Sequence, residues 1–124
     1  MQKWIGALAF AVPLLLASSA SPRDLHVSAA VGHTVKVLAE IHHARDCTLL
    51  ETLITIDENP IHGTISVRDE IVKLTHPDWS LECLNHTGQG KAVYYTRTSP
   101  GIDHFKYSSS AVGDLTAIRN VTVE

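Results

Sequence analysis

The chain lacks an apolar run long enough to cross a membrane. Its longest run extends from Trp4 to Leu16 and is interrupted by a proline, whereas a membrane-spanning helix needs about 20 residues. Lys3 precedes this run, and small residues occupy positions 18–20. A positive start, an apolar core and small residues before a cut are typical of a secretory signal peptide. We therefore predict a cleaved signal peptide at residues 1–20 and one folded domain at residues 21–124. The alternative is an apolar N-terminal helix of the mature fold.

The chain also lacks a strong excess of charge of either sign. It contains 10 Lys and Arg against 13 Asp and Glu, which gives a formal net charge of −3. The predicted signal peptide holds one of the basic residues and none of the acidic ones, so the remainder carries −4. The sequence shows neither a basic stripe nor a basic amphipathic stretch. We therefore expect no nucleic-acid partner and no membrane-surface partner.

Cysteine is scarce, with Cys47 and Cys83 as the only two. Two cysteines in an exported chain usually form a disulfide. Closing a loop of this length stabilises a fold by about 4 kcal/mol in the chain-entropy model. The alternative is a reactive thiol, which an oxidising compartment would tend to consume. We predict a disulfide and a protein that is exported to the periplasm or the medium.

Short segments of alternating or β-branched residues fill the chain after residue 23. Turn signals such as Gly32-His33 and His62-Gly63 separate them. Only the segment Thr34–Arg45 has competing helical spacing, and we favour a strand there. The stretch Asp78–Lys91 is expected to be irregular, with Gly88-Gln89-Gly90 making it flexible. About eight short strands predict an antiparallel β-sandwich. The predicted core comprises Val27, Val35, Val37, Ile54, Ile56, Ile65, Val67, Val93, Phe105, Tyr107, Val121 and Val123.

Several motifs occur together in the second part of the chain. They are Cys47, Pro60-Ile61-His62-Gly63-Thr64-Ile65, Cys83, Val93-Tyr94-Tyr95-Thr96 and Pro100-Gly101-Ile102-Asp103-His104-Phe105-Lys106-Tyr107. Their order resembles bacterial cadherin-like and immunoglobulin-like extracellular domains of the small, exported, single-domain type. The resemblance runs from Cys47 to Glu124 and implies an immunoglobulin-like β-sandwich of about seven to eight strands.

The shared residues have roles in the fold. Gly63 permits a tight turn into a strand, and Tyr94 or Tyr95 can pack with Phe105 across neighbouring strands. Asp103 can accept hydrogen bonds from backbone amides in the turn before the last hairpin. The chain departs from the pattern at Arg97, which stands near a usual proline. The calcium-binding motifs of true cadherins are absent, so we do not extend calcium binding to this chain.

Chemically versatile residues are present but lack diagnostic spacing. The eight histidines include no His-x-His and no His-Glu-x-x-His, so we expect scattered surface and turn histidines and no metal site. The acidic pairs Asp57-Glu58 and Asp69-Glu70 are expected to flank turns. Serine, histidine and aspartate for a catalytic triad exist, but no Gly-x-Ser-x-Gly sequence does. We therefore expect no enzyme activity, no catalytic residue and no cofactor.

These observations favour a non-enzymatic, extracytoplasmic β-sandwich that binds a protein or an envelope component, or has a structural role, and that is a monomer. The possible partner-binding residues are Trp79, Leu81 and Leu84, which are expected to cover the core. If they are exposed instead, they form the best partner site. One alternative is a periplasmic copper- or zinc-binding protein that uses surface histidines. Another is a small exported enzyme inhibitor.

Overall fold

The computed structural model describes residues 22–75, 77 and 81–124. The predicted signal peptide and Trp79 lie outside these described residues. The described chain contains nine strands and a single 3₁₀ turn, Leu81–Cys83. The strands are β1 (Pro22–Val27), β2 (Thr34–Glu40), β3 (His42–His43), β4 (Leu49–Leu50), β5 (Leu53–Glu58), β6 (Gly63–Lys73), β7 (Thr87–Arg97), β8 (Asp103–Ser110) and β9 (Ala117–Val123).

Two sheets face each other and form the predicted all-β sandwich. The first sheet has the strand order β1-β9-β8-β5, and the second has β2-β7-β6. Every pairing is antiparallel except that of β1 with β9. The two short strands β3 and β4 form a separate hairpin. No helix in the described chain is long and apolar enough to span a bilayer.

Aromatic rings from both sheets meet in the core. The ring centroids of Tyr95 and Phe105 lie 5.9 Å apart, and those of Phe105 and Tyr107 lie 6.3 Å apart, with near-parallel planes. The sequence predicts packing across neighbouring strands, but Tyr95 is on β7 and Phe105 on β8, which belong to opposite sheets. The stack therefore joins the two layers. Each such buried side chain contributes about 1.5–3 kcal/mol.

Eleven of the twelve predicted core residues lie in this cluster or pack against it. The exception is Val67, which is exposed. Alternation along β6 places Val67 on the same side as Ile65, but β6 is an edge strand and a cavity opens beside Val67. Alternation predicts which face a side chain occupies and does not predict how far the opposite sheet extends.

The segment Thr34–Arg45 contains β2 and β3, as the sequence predicts. A β-bulge between Lys36 and Leu38 shifts the register of β2 against β7. A bulge adds one residue to one strand, so it reverses the alternation beyond it. Val35 packs against the core before the bulge, Val37 packs against it at the bulge, and Glu40 is buried after it. The bulge thus turns a carboxylate toward the opposite sheet.

The stretch Asp78–Lys91 is not irregular throughout, because β7 begins at Thr87 and pairs with β6 along its whole length. The glycines there allow close approach. A Cβ atom on Gly90 would lie 2.4 Å from the carbonyl oxygen of Glu40, and one on Gly88 would lie 1.9 Å from the Leu49 side chain. Glycine in a strand commonly marks such contacts.

Candidate functional site

The end of the sandwich that carries the disulfide gathers the strongest candidate for a functional surface. We name it the disulfide pole and define it as the described residues of three connections: 41–52, 74–86 and 111–116. The last two lie at the same end because each is bonded to the first, through the Cys47–Cys83 disulfide and through the His42–Asp114 hydrogen bond. The first contains the β3–β4 hairpin, which is linked to both of the others.

Cys47 and Cys83 form a disulfide with an S–S distance of 2.05 Å and a Cα–Cα distance of 5.2 Å. The bond joins the β3–β4 hairpin loop to the 3₁₀ turn, and Cys83 is fully buried. Cys47 has a φ of 69°, in the left-handed region that costs a non-glycine residue about 1–2 kcal/mol. Backbone hydrogen bonds from Cys47 N to the carbonyl oxygen of Ala44 and from Ala44 N to that of Thr48 close the loop in which Cys47 has this conformation.

Apolar side chains of the disulfide pole point into solvent. Leu81 is 82% exposed, and Leu84 is exposed as well, so the prediction that they cover the core is wrong. Only Cys83 of the 3₁₀ turn faces inward. In the β8–β9 connection, Val112 is 88% exposed and Leu115 is also exposed. The sequence analysis did not single out these two residues, although two apolar residues around the Gly113-Asp114 turn could have signalled them.

A buried relay links the β8–β9 connection to the hairpin. Nδ1 of His42 lies 2.8 Å from Oδ2 of Asp114, and Nε2 lies 2.7 Å from Oγ of Ser109. Because a carboxylate only accepts, Nδ1 donates to Asp114, and Nε2 shares the second hydrogen bond with the Ser109 hydroxyl. The three side chains come from β3, β8 and the turn between β8 and β9.

The relay has the connectivity of a hydrolase triad, in which a serine contacts a histidine that an aspartate orients. A nucleophile must reach its substrate, yet Ser109 is 0% exposed and the Asp114 side chain is also fully buried. The arrangement as it stands is closed to a substrate carbonyl. What it does is fix the turn that carries Val112 to the hairpin that carries Cys47.

Histidines were expected to lie at the surface and in turns, and this is wrong for two of them. His42 and His43 are both buried. Nδ1 of His43 lies 2.8 Å from the carbonyl oxygen of Ala44. Within the described chain, no three histidine, cysteine or acidic side chains converge in a way that could hold a metal ion. His76 lies outside the described residues.

Glu40 joins the two sheets beside the disulfide pole. It accepts two hydrogen bonds from the Arg119 guanidinium, at 3.0 and 2.9 Å, and one from the Tyr107 hydroxyl at 2.7 Å. The hydrogen bonds with Glu40 raise the pKa of Arg119, and burial raises the pKa of Tyr107 far above its ordinary value. Charges that are buried need such full pairing.

Asp103 organises the opposite end of the sandwich. Its carboxylate accepts from the Tyr95 hydroxyl at 2.6 Å and from the amides of Ile61, His62 and His104 at 2.8, 2.9 and 3.0 Å. Asp103 accepts from backbone amides, as predicted, but these belong to the β5–β6 connection and to β8 rather than to the turn before the last hairpin. Burial alone would raise the pKa of Asp103, but these hydrogen bonds outweigh it and lower the pKa. Burial and Asp103 together raise the pKa of Tyr95 to about 12.

The two acidic pairs behave differently. Asp57 and Glu58 end β5 before a turn, as expected. Asp69 and Glu70 lie inside β6 instead. Asp69 forms an ion pair with Lys91 at 2.5 Å, and Glu70 forms one with Lys36 at 2.7 Å. These carboxylates are therefore paired across strands rather than placed at a turn.

Comparison of the chain with protein-family models, with curated proteins and with solved structures finds no match. The fold defines the class of protein, which is an all-β sandwich with one disulfide between two of its connections.

Proposed function

We propose that the protein is an exported, non-enzymatic binding module that presents the disulfide pole to a protein partner. The observation that carries the proposal is the exposure of Leu81 and Val112 on connections that are held rigidly from within. Single exposed apolar residues are common on protein surfaces. Several exposed apolar residues at one end of a small domain, on the connections between strands, are more typical of an interaction site.

The internal links give these loops the properties of a preformed interface. The disulfide fixes the 3₁₀ turn to the hairpin, and the His42 relay fixes the β8–β9 turn to the same hairpin. Ordering a loop on binding costs about 0.5–1.5 kcal/mol for each immobilised side chain. Loops that are already fixed avoid much of this cost, and they can present apolar anchors to a partner's pockets.

We also propose that the sandwich has the immunoglobulin-like architecture that the sequence resemblance implies, and the strand order supports this. With the β3–β4 hairpin set aside, β2-β7-β6 and β5-β8-β9 follow the B-E-D and C-F-G orders of that architecture. β1 pairs with β9 in parallel rather than with β2, which is the one difference from the constant-type arrangement. Modules of this architecture often carry their recognition loops at one end of the sandwich.

A capture experiment tests the partner site. The oxidised domain is immobilised and exposed to the extracytoplasmic fraction of its source. The Leu81→Ser/Val112→Ser double variant is compared with Ile61→Ser, which changes a side chain that is 84% exposed in the β5–β6 connection, at the opposite end of the sandwich. We expect a protein that the wild type and the Ile61 variant retain and the double variant does not, with unchanged melting. Identical captured proteins in all three samples would exclude the disulfide pole as the site.

The non-enzymatic part has a separate test. A fluorophosphonate probe labels serine nucleophiles that a histidine activates. We expect no labelling of the folded protein, because Ser109 is fully buried. Labelling of the wild type that disappears in Ser109→Ala, with folding intact, would show that the relay opens and acts as a catalytic triad.

A further inference from the structure

A second cavity lies at the end of the sandwich opposite the disulfide pole. An inference from this cavity is independent of the function proposed above. Its volume is about 510 Å³, and it lies between the β1–β2 and β7–β8 connections and the C-terminal residue. Ligand pockets typically measure about 300–1,000 Å³. We name it the Arg97 pocket. The residues that matter in its lining are Ala30, Val31, Arg97, Pro100, Ile102 and Glu124.

Most of this lining is apolar and open to solvent. Val31 and Ile102 are both exposed, and Ala30 and Pro100 complete the apolar wall. The side chains come from two connections that Arg97 ties together. An apolar concavity with one charged group is the usual composition of a small-molecule site.

Arg97 supplies that charge. It is only 4% exposed, and its guanidinium donates to the carbonyl oxygens of Ala29 at 2.6 Å, Ser99 at 3.0 Å and Gly101 at 2.5 Å. These bonds use Nε and Nη1. Within the described chain, Nη2 has no hydrogen-bond partner, and no carboxylate lies within 4.0 Å of the guanidinium.

A buried cation without an anion is unusual. Buried charges in proteins are normally paired, because burial removes their hydration. The ion pair of Arg119 with Glu40, beside the disulfide pole, follows that rule, and Arg97 does not. Its Nη2 amino group keeps two N–H donors, and either can donate a charge-assisted hydrogen bond to a carboxylate oxygen.

We propose that the Arg97 pocket binds a small carboxylate with an apolar tail, of the size of a medium-chain fatty acid. The carboxylate accepts from Nη2 of Arg97, and the tail covers Val31, Pro100 and Ile102. Glu124 also lines the pocket, and its negative charge repels an anion. The bound carboxylate therefore lies on the Arg97 side, and removal of the Glu124 charge strengthens binding.

Titration calorimetry and amide chemical shifts with octanoate test the proposal. We expect octanoate to bind and to shift the resonances of residues 29–31 and 98–102. Octan-1-ol, which keeps the tail, and acetate, which keeps the carboxylate, are expected to bind at least tenfold more weakly. Equal binding of octanoate and octanol would remove Arg97 from the site, and no binding of octanoate would overturn the proposal.

Two variants with opposite expected effects complete the test. Ile102→Ala removes part of the apolar wall and should weaken octanoate binding about fivefold. A loss of this size is roughly the free energy of burying one methylene group. Ile71→Ala, at a similarly exposed isoleucine on β6, serves as the control and should leave it unchanged. Glu124→Gln should tighten binding two- to threefold at low salt. Weaker binding by Glu124→Gln, or an equal loss in both isoleucine variants, would contradict the assigned geometry.

Discussion

Replacing Asp103 by asparagine should destabilise the sandwich strongly, although the two side chains have nearly the same shape, because Asp103 is buried. The carboxylate accepts four hydrogen bonds, two at each oxygen. Asparagine keeps one oxygen and replaces the other by a donor. If the donor takes the place of Oδ2, the hydroxyl of Tyr95 can rotate to accept, but the amide of His62 keeps no acceptor.

The expected cost follows from these four bonds. An unsatisfied buried amide costs about 1–3 kcal/mol. The two amide bonds that remain at Oδ1 lose their charge assistance, which is worth about 1 kcal/mol for each bond. Asp103→Asn should therefore lower the free energy of unfolding by about 3–5 kcal/mol, a large part of the 5–15 kcal/mol that is typical for a domain.

The effect should depend on pH, because the folded state lowers the pKa of Asp103. A carboxyl whose pKa is lowered on folding stabilises the protein above the unfolded-state value, which is about 3.9 for aspartate. The contribution disappears as the pH falls through the lower, folded-state value. The difference between wild type and Asp103→Asn should therefore be constant at neutral pH and shrink below about pH 4.

Urea denaturation at several pH values, followed by circular dichroism, measures this difference. Asp24→Asn is the matched control, because Asp24 is exposed and makes only a long contact of 3.3 Å with Asn120. It should leave stability almost unchanged. A loss below 1 kcal/mol for Asp103→Asn at neutral pH, or a loss that does not shrink in acid, would refute the role assigned to the carboxylate.

Three further outcomes are expected. Cys47→Ala/Cys83→Ala should cost about 4 kcal/mol in urea denaturation, since the cross-link closes a loop with a sequence separation of 36; a loss under 1 kcal/mol would contradict this. Gly63→Ala should cost about 1–3 kcal/mol through overpacking, because its Cβ atom would lie 2.4 Å from the Tyr95 ring; an unchanged melting temperature would show that the ring moves aside freely. Raising the pH from about 10 to 12 should reduce stability, since Tyr95 is protonated in the fold up to about 12 and ionises near 10 when unfolded. Burial also raises the pKa of Tyr107, so Tyr95→Phe should weaken this alkaline dependence without abolishing it, and an unchanged dependence in that variant would assign it to another group.

The sequence predicts the layers of the fold well, because alternation is a direct consequence of strand geometry. The residues Val93, Phe105 and Val121 are buried where the pattern places them. Its failures concern what alternation does not encode. Val67 lies on the predicted side of an edge strand, but the opposite sheet does not cover it. Gly88 and Gly90 predicted a flexible stretch, although they belong to a strand that makes close contacts.

The candidate site was less predictable, since it depends on contacts between distant positions. His42 meets Asp114 across 72 residues of chain, and nothing in either local sequence indicates the pairing. Gly63 was assigned to a turn, and its actual role is to leave space for the Tyr95 ring. Arg97 appeared only as a departure from a familiar pattern, whereas the structure gives it three carbonyl partners and a cavity.

The two ends of the sandwich use the same physical device, and it bears on function. Each buries a polar side chain, His42 or Asp103, that binds groups on distant connections. Apolar packing is not directional, whereas hydrogen bonds fix distance and angle. A sandwich that needed stability alone could leave its connections solvated, as most loops are, and would avoid the desolvation of these groups. Buried polar links are useful chiefly where the connections must keep one geometry. That requirement fits the exposed leucine and valine side chains at one end and the open cationic pocket at the other.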